Sequence, residues 1–131
     1  ALDLTTQAMV ILEASVKAGG QGIDYLPIVL ARRSDIELQL GRPNEAAADA
    51  TRGLKMLQGA TPPGTLSCNL GRAYLALGRA FEAQGKHEDA RRAFQSAVKH
   101  LEDTLGPDDR DTRAARQLED RDSRSQQGAG R

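Results

Sequence analysis

Residues 77–97 read LGRAFEAQGKHEDARRAFQSA, and this stretch decides the fold. It places large residues, small residues and one turn glycine at the offsets that two packed antiparallel helices require. Before Gly85, apolar residues recur at the spacing of one α-helix face. They are Leu70, Tyr74, Leu77 and Phe81. Gly85 then supplies the left-handed conformation that favours a helix end.

The same spacing returns after Gly85 and predicts a second helix. Its apolar positions are Ala90, Phe94, Ala97 and Leu101. Because the loop is short, the two helices must be antiparallel neighbours. Gly78 lies inside the first helix and costs about 1 kcal/mol of helix propensity there. This cost indicates that Gly78 is needed for close packing, with the aromatic residues filling the space beside it.

The segment resembles the tetratricopeptide repeat, a helical hairpin whose pattern combines three aromatic positions, a Leu-Gly pair and two alanines over about 34 residues. The matching positions are Tyr74, Leu77, Gly78, Phe81, Ala90, Phe94 and Ala97. The repeat's proline is replaced by Glu102. The run 105–112 instead resembles the linker of the longer repeats found in kinesin light chain and many bacterial regulators. The resemblance covers about a third of the chain.

A weaker copy of the hairpin lies upstream. Residues 41–46 read GRPNEA and resemble GKHEDA at 85–90, so Gly41 and Gly85 are 44 residues apart. Ala50 and Gly53 stand where the strong copy has Phe94 and Ala97. The first helix of this copy lacks the Leu-Gly pair and both aromatic residues.

The resemblance implies an all-α fold, in which antiparallel helical hairpins stack as a short right-handed α-solenoid of about six helices. We expect this domain to span residues 1–121. The strong repeat covers 66–105 and the weak repeat covers 24–58, with partial repeats at both ends. Pro62 and Pro63 mark the break between the two hairpins.

The partial repeats are predicted from the ends of the sequence. Residues 4–18 predict an amphipathic helix that ends at the glycine-rich run 19–22. Its apolar positions include Leu4, Ala8, Ile11 and Leu12. Residues 109–121 predict a capping helix with a thin apolar face at Ala114, Ala115 and Leu118. Residues 122–131 carry no large apolar side chain, and we expect them to be disordered.

Composition argues against several classes of function. The chain has 18 basic and 18 acidic residues, so it lacks the positive field that nucleic-acid or anionic-membrane binding requires. Nothing approaches the roughly 18 apolar residues of a transmembrane helix, and no signal peptide is visible. We therefore expect a cytoplasmic protein, or a piece of a longer one. Arginine outnumbers lysine 14 to 4, which is typical of GC-rich bacterial genomes.

Motifs for chemistry are missing from the sequence. His87 and Glu88 do not begin a zinc-binding HExxH motif, because Arg91 occupies the second histidine position. His100 is too far along the same helix to share a metal with His87, and we expect both histidines to be solvated. Cys68 is expected to be a buried, inert thiol. The prediction is a protein that is not an enzyme and has no cofactor or metal.

The resemblance also implies a binding surface, because in this family the first helix of each hairpin lines the concave face. The family's groove-facing offsets fall on Asp35, Leu38, Arg72, Leu75, Arg79 and Glu82; the alternative is that these residues are merely exposed. Arg72 and Arg79 are seven residues apart and share one helix face. Two guanidinium groups in this arrangement suit a carboxylate-bearing peptide.

The leading hypothesis is therefore a protein-interaction scaffold that binds a peptide or helix of a partner protein in the groove. A second hypothesis is self-association, with homodimers forming through the terminal helices, because the ends of such arrays need polar caps. A third is a regulatory segment of a bacterial kinase or transcription regulator. The identity of the partner is not encoded in the residues.

Overall fold

The computed structural model describes residues 2–17 and 26–129, and this part of the chain contains six α-helices and no strand. The helices are α1 Leu2–Lys17, α2 Leu26–Gln39, α3 Pro43–Ala60, α4 Cys68–Ala83, α5 His87–Leu105 and α6 Arg110–Ala129. The predicted all-α class and the predicted number of helices are confirmed. The expected linker at 19–22 and the first two residues of the weak repeat, 24–25, lie outside the described residues.

Two turns of identical construction join α2 to α3 and α4 to α5. Gly41 and Gly85 adopt the left-handed conformation, with φ of 74° and 80°. In each turn the glycine N–H donates to the carbonyl three residues back, and the next N–H donates to the carbonyl five residues back. These bonds are Gly41 to Leu38, Arg42 to Glu37, Gly85 to Glu82 and Lys86 to Phe81, at 2.8–3.1 Å. This is the Schellman helix end, repeated after 44 residues.

The hairpin of α4 and α5 closes on two glycines. A Cβ atom at Gly78 would lie 2.5 Å from Cε1 of Phe94, and one at Gly71 would lie 2.6 Å from Cγ of Leu101. Side chains of α5 therefore occupy the space that any larger residue of α4 would fill. Phe94 and Leu101 have no exposed surface. The close approach predicted from Gly78 is confirmed.

The hairpin of α2 and α3 uses polar groups at several positions where its partner hairpin is apolar. Forty-four residues before Leu77, Phe81 and Ala93 stand Arg33, Glu37 and Asp49. The Arg33 Nε lies 2.8 Å from Oδ2 of Asp49 and 3.6 Å from Oε1 of Glu37. Ser34, at the position of Gly78, donates a hydrogen bond to the carbonyl of Ala46 at 2.9 Å.

Each helix packs against the next one along the chain, and α2 also packs against α4. The bond from Arg72 to Asp111 places the beginning of α6 beside α4. As a result α2, α4 and the first turn of α6 border one common depression. Within the described residues no helix is both long enough and apolar enough to cross a membrane.

The first helix buries Met9, while several residues of its predicted apolar face are exposed. Met9 is buried and joins Leu26 and Leu30 of α2 in a small apolar cluster. Leu4 and Ile11 of the predicted apolar face are 72% and 65% exposed. The predicted helix is therefore present with Met9 facing α2, and the predicted apolar position Leu12 lies outside the described side chains.

The last helix, α6, continues to Ala129 and so extends into the segment 122–131, for which the sequence predicts disorder. Arg121 pairs with Glu82 of α4, and the Asp122 side chain is only 3% exposed. Burial raises the pKa of Asp122, and the neighbouring Glu82 raises it further. Long-range polar contacts therefore extend a helix that has no apolar face of its own at this point.

Candidate binding groove

A groove with a volume of about 490 Å³ runs between α2, α4 and the start of α6. Its apolar lining includes Ile28 and Ala31 from α2, Leu57 from α3, and Leu75 from α4. Ile28 is 42% exposed and contributes apolar surface to the groove. An apolar floor bordered by charged side chains is the usual composition of a ligand-binding cleft.

Four of the six predicted site residues line this groove. They are Asp35, Arg72, Leu75 and Arg79. Leu75 is almost fully buried and packs with the cluster around Phe94, so it contributes to the wall and offers little free surface.

The other two predicted site residues lie elsewhere and hold helices together. Leu38 packs against Ala46, Ala47 and Ala80, in the cluster where α2, α3 and α4 meet. Glu82 pairs with Arg121 of α6. The structure does not bring either residue to the groove.

The predicted arginines are not free, because the chain supplies their carboxylate partners. The Nε of Arg72 donates to Oδ2 of Asp111 at 3.0 Å. The Nη1 of Arg79 lies 3.9 Å from Oδ1 of Asp35, which is too far for a hydrogen bond. The α4 helix therefore forms one close and one loose ion pair across the groove, with α6 and α2 respectively.

Asp35 is the less satisfied of the two carboxylates in the groove. Its Oδ1 is buried and accepts no hydrogen bond from the described residues. Burial raises the pKa of Asp35, the guanidinium of Arg79 opposes this rise, and the carboxylate of Asp111 adds to it. The 3.9 Å separation explains why Arg79 does not offset the cost of burial.

Two further arginines line the groove and were missed from the sequence. Arg32 of α2 and Arg110 of α6 are exposed and have no ion-pair partner among the described residues. Arg32 lies three residues before Asp35, so helical spacing alone places both on one face. For Arg110 no local signal exists, because it reaches the groove only through the packing of α6.

The groove is more positive than the chain as a whole. It is lined by four arginines, Arg32, Arg72, Arg79 and Arg110, against the two aspartates Asp35 and Asp111. The complete chain is neutral. Charge is therefore distributed unevenly, with an excess of two positive charges in the groove.

A second, smaller cavity of about 300 Å³ lies beside the loop that precedes α4. His100 lines this cavity, and the prediction that it is solvated is wrong. Its Nδ1 accepts a hydrogen bond from the backbone N–H of Ser67 at 3.0 Å, and its ring stacks on Tyr74. Burial lowers the pKa of His100, and Lys99 lowers it further. His87 is exposed, as predicted. His100 serves to hold the start of α4 against α5.

The described residues contain no group of three histidine, cysteine, aspartate or glutamate side chains arranged to hold a metal ion. Cys68 is half-buried, unpaired within the described residues, and packs beside the cluster around Phe94. No family model, curated protein or solved structure matches this chain. The geometry and charge of the groove are therefore the features of the chain that bear on its function.

Proposed function

We propose that this chain is a protein-interaction module, of the tetratricopeptide-repeat type, that binds a segment of a partner protein in the groove between α2, α4 and α6. The observation that carries the proposal is the groove itself, with its exposed Ile28, its apolar floor and its charged border. The function proposed is binding without chemistry, and the chain would act as a scaffold.

Two features support the repeat arrangement within this proposal. The Schellman turns at Gly41 and Gly85 have the same hydrogen bonds and are one long repeat apart. The helices also pack in chain order, as stacked hairpins do. In such an array the first helices of successive hairpins line one surface, and here α2, α4 and α6 hold these positions.

The experiment is to select binding peptides from a displayed random library and to map them on the isotope-labelled chain by NMR. We expect the amide shifts to concentrate in α2, α4 and the first turn of α6. Peptides whose shifts are confined to the outer helices α3 and α5 would contradict the proposal.

A matched pair of variants sharpens this experiment. Ile28→Ser removes exposed apolar surface from the groove, and Leu40→Ser removes a similar amount from the turn after α2. Burying such a side chain contributes about 1.5–3 kcal/mol, so we expect Ile28→Ser to weaken the selected peptides about tenfold. Leu40→Ser should leave their affinity as it is.

Self-association is a second candidate function, and one observation favours it. The outward face of α1 carries Leu4, Val10 and Ile11, all more than half exposed. Contiguous apolar surface of this kind often marks an interaction site. A homodimer through α1 would leave the groove open, so the two functions are compatible.

A further inference from the structure

We infer that the occupant of the groove is an acidic, extended segment of a partner protein, whose carboxylates displace Asp111 from Arg72 and Asp35 from Arg79. This inference rests on the function proposed above. It adds the chemical class of the partner. It also adds that Asp111 and Asp35 compete with the partner's carboxylates for Arg72 and Arg79. Asp35 and Asp111 occupy, in the free protein, the places that the partner's carboxylates would take.

Charge complementarity is the first argument for an acidic partner. The excess positive charge in the groove belongs to Arg32 and Arg110, which have no ion-pair partner among the described residues. Arg32 lies on α2 and Arg110 lies on α6, on either side of Arg72 and Arg79 of α4. A neutral or basic segment would leave these guanidinium groups without counter-charge while covering the surface around them.

The internal ion pairs of the groove, Arg72 with Asp111 and Arg79 with Asp35, are easily exchanged. The Arg72 and Asp111 side chains are 49% and 29% exposed, and those of Arg79 and Asp35 are 39% and 45% exposed. Ion pairs this open to water contribute little to stability. A guanidinium group has five N–H donors, and Arg72 uses one of them on Asp111. A carboxylate whose two oxygens each accept an N–H from one guanidinium makes the stronger, bidentate pair.

Asp35 has an unfavourable position in the free protein. Its buried Oδ1 accepts no hydrogen bond from the described residues and stands 3.9 Å from Arg79. A partner carboxylate that reaches Arg79 from the open side of the groove would therefore replace a poor interaction with a better one. The internal pair at Asp35 is a weak competitor, and the pair at Asp111 is the stronger one.

The spacing of the arginines suggests the form of the acidic segment. Seven residues of α4 separate Arg72 from Arg79, a rise of about 10.5 Å. Three residues of an extended polyproline II segment span about 9 Å and return to the same side of the chain. An acidic residue at every third position therefore suits the two arginines.

The probe is a fluorescent decapeptide of proline and alanine with a glutamate at every third position, and its control has glutamine at the same positions. Fluorescence anisotropy gives the affinity for the whole chain. We expect the glutamate peptide to bind in the groove, as mapped by NMR, and the glutamine peptide to bind at least about tenfold more weakly. Equal affinities for the two peptides would overturn the inference.

The decisive variant is Asp111→Asn, because it removes the internal competitor. We expect it to bind the glutamate peptide about two- to fivefold more tightly, the range set by an exposed ion pair. Asp108→Asn removes the same charge from the neighbouring exposed linker and should have little effect. If Asp111 only positioned α6, its loss would leave affinity unchanged or reduce it, and this result would also overturn the inference.

Arg32 and Arg110 provide a test that leaves the ion pairs of Arg72 and Arg79 intact. The double variant Arg32→Gln, Arg110→Gln should keep its helical content and bind the glutamate peptide about tenfold more weakly. Arg113→Gln, on an exposed position of the same helix as Arg110, is the control for loss of charge. Undiminished binding of the glutamate peptide by the double variant would overturn the inference.

Failure of this inference can be distinguished from failure of the proposed function. Neutral library peptides that map to the groove would support the proposed function and overturn only the acidic partner. Acidic peptides whose shifts lie outside α2, α4 and α6 would overturn both.

Discussion

Gly78 shows how one residue sets the distance between two helices. The ring of Phe94 lies where its Cβ would be, and Phe94 is fully buried between α4 and α5. A methyl group at Gly78 therefore requires the ring or the helix to move, and closely packed cores resist such movement.

We predict that Gly78→Ala lowers the free energy of unfolding by about 1–3 kcal/mol, because overpacking outweighs the better helix propensity of alanine. Gly59→Ala is the matched control, since Gly59 lies near the end of α3 with nothing within 4 Å of its Cβ position. That change should stabilise the protein by up to about 1 kcal/mol. Urea denaturation of both variants measures the difference, and equal stabilisation by both would disprove the close approach.

At the scale of elements, the contact between α2 and α3 depends on a polar group that the α4–α5 contact lacks. Glu37 is 1% exposed and faces Asp49 across the two helices, with Arg33 between them. Burial raises the pKa of Glu37 to about 8, and the hydrogen bond and charge of Asp49 add to this rise, while Arg33 opposes it. At neutral pH the folded protein therefore keeps a proton on Glu37.

The sign of the pH effect follows from this proton. The unfolded chain loses it near the ordinary value of 4.5, whereas the folded protein loses it near 8. Between these values the folded state binds more protons, so the contribution of Glu37 to stability falls as pH rises. We predict that Glu37→Gln becomes progressively more stable than the wild type from about pH 4.5 to pH 8.

Chemical denaturation across this pH range measures the difference between the two proteins. Glu88→Gln, an exposed position in the first turn of α5, is the control for loss of a carboxylate. A constant difference between wild type and Glu37→Gln at all pH values would show that Glu37 is not the group that titrates.

At the scale of the whole molecule, the first and last helices differ. The α6 helix is highly polar, as its sequence RDTRAARQLEDRDSRSQQGA indicates, and covers α5 with few apolar residues. The α1 helix instead turns Leu4 and Ile11 outward. The last helix therefore presents mainly polar residues to solvent, and the first helix exposes large apolar side chains.

We predict that the chain forms a concentration-dependent dimer through α1, and that Ile11→Lys abolishes it without loss of helical content. Light scattering coupled to gel filtration at several loading concentrations measures the mass. Leu40→Lys places the same charge at a similarly exposed leucine away from α1 and should still dimerise. A wild type that stays monomeric throughout would rule out self-association by this face.

The predicted groove illustrates how far sequence reasoning reaches. Helical spacing placed Arg72 and Arg79 on one face of α4, and both line the groove. Helical spacing did not predict that Asp111, 39 residues after Arg72, accepts a hydrogen bond from the Arg72 guanidinium. Arg110 was missed for the same reason, since its place depends on how α6 returns to the bundle.

The sequence by itself determined the helices, the turns and the tight hairpin. These features depend on residues close together in the chain, where apolar spacing and glycine conformation act directly. The tertiary structure alone decided the burial of Met9 in α1, the continuation of α6 beyond residue 121 and the ion pairs that cross the groove. Each of these depends on a surface supplied by a helix that is distant in the chain, and the local sequence cannot predict that surface.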